Sequence, residues 1–121
     1  GTVHVRMNKM EDAGILEKTT LKINYAKLGY DITAFIGIYL EKSALYDVVL
    51  AKLRNIPEIT NIHYTTGNYS MFVKIHCRDT NHLKEVLHDK MQQVEGIERT
   101  ETMISLEESL DRNLKLTSKE N

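Results

Sequence analysis

The sequence predicts an α+β domain in which a four-stranded antiparallel sheet carries two helices on one face. Three observations lead there. Two amphipathic, helix-length stretches each lie between strand-like runs. The two middle strand-like runs meet at a Gly67-Asn68 step with no helix between them. The outer runs, near Phe35 and near Thr102, bracket the whole pattern. The resulting order, β-α-β-β-α-β, is the split βαβ arrangement.

Each element follows in turn. Thr2 to Ala13 reads as a helix, with Val3, Met7 and Met10 on one apolar face and Gly14 as its C′ stop. Residues 15–30 read as a linker, in which Ile15 to Asn24 alternates in part (Leu21 and Ile23 against Lys22 and Asn24) as a connecting strand. Asp31 to Glu41 is a fuller strand: Ile32, Ala34, Ile36, Ile38 and Leu40 share one face, and Phe35, Gly37 and Tyr39 the other. Two apolar faces mean a strand covered on both sides. Gly37 in its middle permits close approach of another backbone or subunit. Ser43 is expected to cap a helix to about Asn55 with Tyr46, Val49, Leu50 and Leu53 on its buried stripe, and Pro57 prevents its continuation.

Glu58 to Thr66 and Asn68 to Cys77 are expected to form a tight hairpin, its Gly-Asn step supplying positive φ. In the second arm Tyr69, Met71, Val73, Ile75 and Cys77 share one face, and Ser70, Phe72, Lys74 and His76 the other. Asp79 caps a second helix to about Glu95, with Leu83, Val86, Leu87, Lys90 and Val94 on one side and Asn81, Glu85, His88 and Gln92 opposite. Ile97 to Glu107 is the last strand, Thr100, Thr102, Ile104 and Leu106 alternating with Arg99, Glu101, Met103 and Ser105. Residues 31–107 thus form a ferredoxin-like βαββαβ domain of the dimeric α/β-barrel type, followed by a polar tail over 108–121. Phe35, Tyr39 and Phe72 cannot all face the helices, so the second sheet face is apolar and is expected to be covered by a second copy, sheet on sheet.

A chain of 121 residues suits one compact domain of about 100 residues with a short appendage. The lone Cys77 excludes an internal disulfide and reads as a packed thiol in a reducing compartment. No apolar run approaches the ~18 residues of a membrane span, and there is no leader pattern, so a cytoplasmic location and no membrane partner are expected. The net charge of -1 gives no nucleic-acid field over the whole chain. Residues 1–29 are weakly basic, with five Lys or Arg against three Asp or Glu. The histidines lack i,i+3 or i,i+4 partners, and with one cysteine no metal site is expected. No catalytic triad order, phosphate loop or dinucleotide fingerprint appears, so no catalytic residues are assigned. Glu95, Glu98 and Glu101 read as a solvated rim.

The hairpin tip carries Tyr64, Thr65, Thr66, Tyr69 and Ser70, hydroxyls on both sides of Gly67. With backbone N–H groups around the glycine they can hold a small zwitterion such as a free amino acid. Thr and Tyr also have high strand propensity, so the residues alone leave both readings open.

Five segments in order carry a family resemblance. Thr66-Gly67-Asn68-Tyr69-Ser70 resembles the turn in the effector-binding domains of the Lrp/AsnC (leucine-responsive/asparagine-responsive) transcription regulators. Gly1-Thr2-Val3-His4-Val5-Arg6 resembles the start of their DNA-recognition helix, and Lys27-Leu28-Gly29-Tyr30-Asp31 the approach to their first effector-domain strand. Phe35-Ile36-Gly37-Ile38 and Thr100-Glu101-Thr102 resemble the first and last strands. The resemblance spans nearly the whole chain and is nearest the asparagine-responsive branch. It implies a partial helix-turn-helix over 1–14, with Thr2, His4 and Arg6 facing DNA, and weak DNA binding by this chain outside the full-length protein.

The resemblance also implies an effector site formed by Tyr64, Thr66, Gly67, Asn68, Tyr69, Ser70 and Thr102, completed by Gln92 of a neighbouring dimer, in homodimers assembled to an octamer. A primary amide exchanges two hydrogen bonds with another, so Gln92 suits asparagine as effector, with no further cofactor. Ser70 stands where many leucine-responsive relatives carry Asp, which disfavours a cationic effector. The expected function is an amino-acid-sensing, oligomerising domain of a transcription regulator, without enzymatic activity. The alternatives are a small dimeric α+β-barrel enzyme of the monooxygenase or isomerase kind, with a cavity between sheet and helices, and a stand-alone amino-acid-binding domain acting on a protein partner.

Overall fold

The computed structural model describes residues 22–116. The strands β1 (Ile32–Leu40), β2 (Ile59–Tyr64), β3 (Met71–Cys77) and β4 (Ile97–Ile104) form one antiparallel sheet in the order β2-β3-β1-β4. The helices are α1 (Tyr46–Leu53) and α2 (Thr80–Glu85), and α2 runs on into a π-helical turn, Val86–Met91. This is the expected ferredoxin-like arrangement. The helix Thr2 to Ala13 and most of the 15–30 linker lie outside the described residues, as do Thr2, His4 and Arg6.

β1 is central in the sheet and apolar on both faces. Ile36 stands opposite Val73 and Thr102, and Gly37 opposite Phe72 and Glu101. Directly paired residues share a face, so the sheet divides cleanly. Ala34, Ile36 and Ile38, with Met71, Val73, Ile75 and Cys77, are fully buried on the helix side. Val49 and Leu53 of α1 and Leu83, Val86 and Met91 of the second helix close over them. Truncating any of the larger ones to Ala costs about 2–5 kcal/mol, from lost burial and the cavity left behind. Burial and the nearby Glu58 carboxylate push the Cys77 thiol up to about 11, which makes it the packed group its sequence context predicts.

Several local expectations need correction. The hairpin is not tight: six residues, Thr65 to Ser70, separate β2 from β3, although Gly67 takes the expected positive φ, at +94°. The Ser70 N–H donates sideways to the Ile38 carbonyl at 2.8 Å, which draws the chain out of the β2–β3 ladder. Tyr69 therefore falls outside β3, and its ring lies on the face opposite Met71. Ser43 does not cap a helix; it opens a 3-10 turn, Ser43–Leu45, preceded by Lys42 with no side-chain cap. α1 stops at Leu53, two residues short of Asn55.

The second helix ends at Met91, short of Glu95. Its π turn, marked by the Gln92 N–H donating to the Leu87 carbonyl, admits one extra residue. That rotates Met91 into the core and leaves Lys90 at the edge, where regular α spacing had placed Lys90 on the buried stripe. The described part of the linker contains no strand: Tyr25–Leu28 is a 3-10 turn whose Lys27 N–H donates to the Asn24 side chain. β4 stops at Ile104 rather than Glu107, and Leu106, Leu110, Leu114 and Leu116 follow exposed.

Candidate functional site

The 65–70 loop is the segment where sequence and geometry converge. Its two ends are tied to each other, the Thr65 N–H donating to the Ser70 carbonyl at 3.1 Å. The Thr65 hydroxyl donates to the Tyr69 carbonyl at 2.9 Å, so this side chain braces the loop from inside. Thr66, Gly67 and Asn68 stand exposed at the tip. At Gly67 a Cβ would meet nothing within 4 Å, so only its φ restricts that position. Positive φ is the glycine-favouring half of the backbone nests whose N–H groups receive anionic groups.

Tyr69 is anchored away from the tip. Its ring lies over Gly37 on the helix-free face, so close that a Cβ on residue 37 would sit 2.7 Å from Tyr69 Cζ. The close approach that Gly37 permits is thus by a side chain of the same chain, a correction to the expected backbone or subunit. The Tyr69 hydroxyl donates to Glu101 Oε2 at 2.7 Å, and the Tyr39 hydroxyl to Glu101 Oε1 at 3.2 Å. The Arg99 guanidinium sits 4.0 Å above the Tyr39 ring. The Tyr69 hydrogen bond holds the Glu101 carboxyl below the usual range. That same bond raises Tyr69, whereas for Tyr39 desolvation leads, with the Glu101 charge and hydrogen bond adding to it. Phe35 and Phe72 stack at 5.7 Å on this face, which makes it the aromatic surface the sequence predicts.

The other expected site residues are more dispersed. Tyr64 stacks on Tyr46 of α1, centroids 4.0 Å apart, on the helix side. Thr102 also faces the helices, opposite Ile36, but on β4. β2 and β4 are the two outer strands, so within one chain Tyr64 and Thr102 stand three strand spacings apart, about 14 Å. Gln92 is exposed at the C-terminal end of the π turn, its Oε1 within 3.3 Å of His88 Nδ1. It shares with the 65–70 loop the end of the sheet where β1 finishes: Ile38 pairs with Met71, and Leu40 with Ile97. No hydrogen bond joins Gln92 to that loop among the described residues.

A charged cluster on the helix side escaped the sequence reading. Glu58, just ahead of β2, accepts two bonds from Lys90 Nζ at 2.7 and 2.8 Å and one from His82 Nε2 at 2.9 Å. His82 is buried, and its Nδ1 accepts from the Arg78 N–H at 2.9 Å, which leaves the proton on Nε2. Burial alone would raise Glu58, but the Lys90 and His82 hydrogen bonds override it and bring the carboxyl down to about 2. Asp79 caps α2 through the His82 N–H, so one residue locks the helix start and orients the cluster. The Asp79 cap is legible in sequence; the Lys90 contact is not, because it requires the π turn.

Among the described residues no group of three or more His, Cys, Asp or Glu is placed to hold a metal. None of their helices is long and apolar enough to cross a membrane. A cavity of about 1000 Å³ lies on the helix-free face between residues 22–26 and 105–111, lined by Phe35, Lys74 and His76.

The Lrp/AsnC ligand binding domain matches residues 33–114. Regulatory protein AsnC of Escherichia coli K12 is 43% identical over 115 residues, which are 95% of this chain and 76% of that protein. The chain belongs to the Lrp/AsnC family. The structure of Escherichia coli AsnC superposes with a TM-score of 0.84 at 42% identity, covering 93% of this chain and 76% of the other. A transcriptional regulator from Neisseria meningitidis, solved as a complex with L-methionine, shares the fold at TM-score 0.79 and 19% identity, over 92% of this chain and 73% of the other. Family membership makes this chain a relative of transcription regulators and gives the ferredoxin-like sheet its context as a ligand-binding domain.

Proposed function

We propose that this chain is the amino-acid-sensing, oligomerising part of a DNA-binding transcription regulator, without enzymatic activity. A small neutral amino acid, asparagine first, is held at the 65–70 loop. The backbone N–H groups around Gly67 and the hydroxyls of Thr66 and Ser70 take its charged ends. Tyr64 contributes a wall from the same chain. Gln92 and Thr102 contribute from neighbouring copies, since Thr102 and Tyr64 of one chain lie on opposite outer strands. The observation that carries the reading is the exposed Gly67 turn at φ +94° on a loop braced from within by Thr65. The methionine complex of the Neisseria regulator supports an amino acid as the ligand class.

The mechanism is linkage. Copies pair through the Phe35, Tyr39 and Phe72 face, dimers assemble to an octamer, and effector bound between dimers favours one assembly. That assembly spaces the DNA-facing segments bearing Thr2, His4 and Arg6 differently along the duplex. A thermal-shift screen against the free amino acids tests the site, because a ligand that binds only the folded state raises stability. Asparagine is expected to raise the midpoint and lysine to leave it in place. A screen in which no amino acid moves the midpoint refutes the proposal.

A further inference from the structure

We propose that Tyr69 and Glu101 form a positioning strut that holds the 65–70 loop in its ligand-ready shape and ties it to the aromatic sheet face. The inference rests on the reading of that loop as the amino-acid site. The loop tip makes few contacts of its own: Thr66, Gly67 and Asn68 are exposed, and the backbone is tied only through Thr65 and Ser70. Held by those ties alone, a six-residue loop would sample many conformations, each of which is given up when a ligand binds. Tyr69 limits that freedom. Its side chain leaves the loop, crosses the central strand β1 and ends on β4, 32 residues away in sequence.

Each part of the crossing has a chemical requirement. At Gly37 the ring lies where a Cβ would stand, so residue 37 must lack one. At the far end the acceptor is a carboxylate, whose hydrogen bonds from hydroxyls are shorter and stronger than those to a neutral acceptor, as the 2.7 Å distance reflects. Glu101 is itself held by the Tyr39 hydroxyl, and Arg99 fixes the Tyr39 ring from above. Tyr69 also packs against Phe72, centroids 6.0 Å apart, and Phe72 stacks on Phe35. The strut therefore ends in the aromatic face. Ordering the loop orders that face, and covering the face steadies the loop, so the two events share one free energy. Tyr69 acts through the loop backbone and is a positioning residue, as is Glu101.

Amide hydrogen exchange and asparagine calorimetry on Tyr69→Phe, Glu101→Leu, Glu101→Gln and the Tyr69→Phe/Glu101→Leu double variant test this. Exchange of the Ser70 and Thr65 amides without ligand is expected to accelerate about tenfold in Tyr69→Phe and Glu101→Leu, the loss of one charge-assisted hydrogen bond. The Val73 amide, deep in β3, is expected to keep its protection. Asparagine affinity falls by a similar factor in both, the double variant loses no more than either single one, and Glu101→Gln, which keeps a neutral acceptor for the Tyr69 hydroxyl, loses less than Glu101→Leu. Unchanged exchange at Ser70 in both single variants overturns the strut, as does equal acceleration at Val73, which marks general destabilisation. Additive losses in the double variant also overturn it. If the unmodified chain binds no amino acid, the proposed function fails while the exchange data still decide the strut.

Discussion

Replacing Glu58 by Gln removes the ionised carboxylate that ties Lys90 and His82 of the second helix to the start of β2. The carboxylate side chain is only 12% exposed, and it receives Lys90 twice and His82 once. Its carboxyl is displaced from an ordinary 4.5 to about 2. At about 1.4 kcal/mol for each tenfold change in acid dissociation, that displacement is worth about 3 kcal/mol of folding stability. Because the folded-state value is depressed, the stability is fully present above pH 4.5 and is lost as pH falls toward 2. In Glu58→Gln the His82 bond survives on the amide oxygen. The Lys90 ammonium, 37% exposed, regains part of its hydration, so the neutral-pH loss is about 2–3 kcal/mol. Urea unfolding of both proteins at pH 7, 4.5, 3 and 2 measures the difference directly. Other carboxylates titrate in both proteins and cancel. The gap is expected to be widest at pH 7 and to close near pH 2. A gap that stays constant across this range refutes the assignment of the stabilisation to the ionised carboxylate.

The remaining predictions concern the site and the sheet face. Gly67→Val is expected to abolish asparagine binding in calorimetry while leaving the β-sheet circular dichroism intact, since φ +94° is costly for a β-branched residue on an otherwise uncrowded tip. Gln92→Leu is expected to cost asparagine about 1–3 kcal/mol through an unpaired amide and to leave leucine affinity nearly unchanged. Equal losses for both ligands remove Gln92 as the reader of the side chain. Phe35→Lys places a charge beside Phe72 and is expected to shift light-scattering mass from dimer or larger toward monomer, at a cost of several kcal/mol to association.

Much of the fold was legible because periodicity and topology agree. The apolar alternation of β1 marked it as a strand with two apolar faces, and in the sheet it is central, hydrogen-bonded along both edges. Asp79 announced the start of α2, and its side chain caps that helix. The second helix then departs from its pattern because a π turn inserts one residue, and regular spacing gives no sign of where such a turn falls. Its consequences, a buried Met91 and Lys90 directed at Glu58, were invisible for the same reason. The hairpin was visible as a turn at Gly67 but not as a six-residue loop, since its width follows from the Ser70 bond to Ile38 on a strand distant in sequence. Glu101 read as a solvated rim residue; only the cross-strand register, Gly37 beside Glu101, shows how Tyr69 reaches it. A glycine in mid-strand, an aromatic at a turn and an acid on a neighbouring strand are the signal to seek.

Sedimentation velocity at micromolar concentration, with and without saturating asparagine, tests effector-linked assembly most directly. A species larger than a monomer is expected without ligand, and asparagine is expected to move the distribution between assembly states while lysine leaves it in place. A chain that sediments as a monomer and does not respond to asparagine contradicts both the sheet-to-sheet pairing and the sensing role.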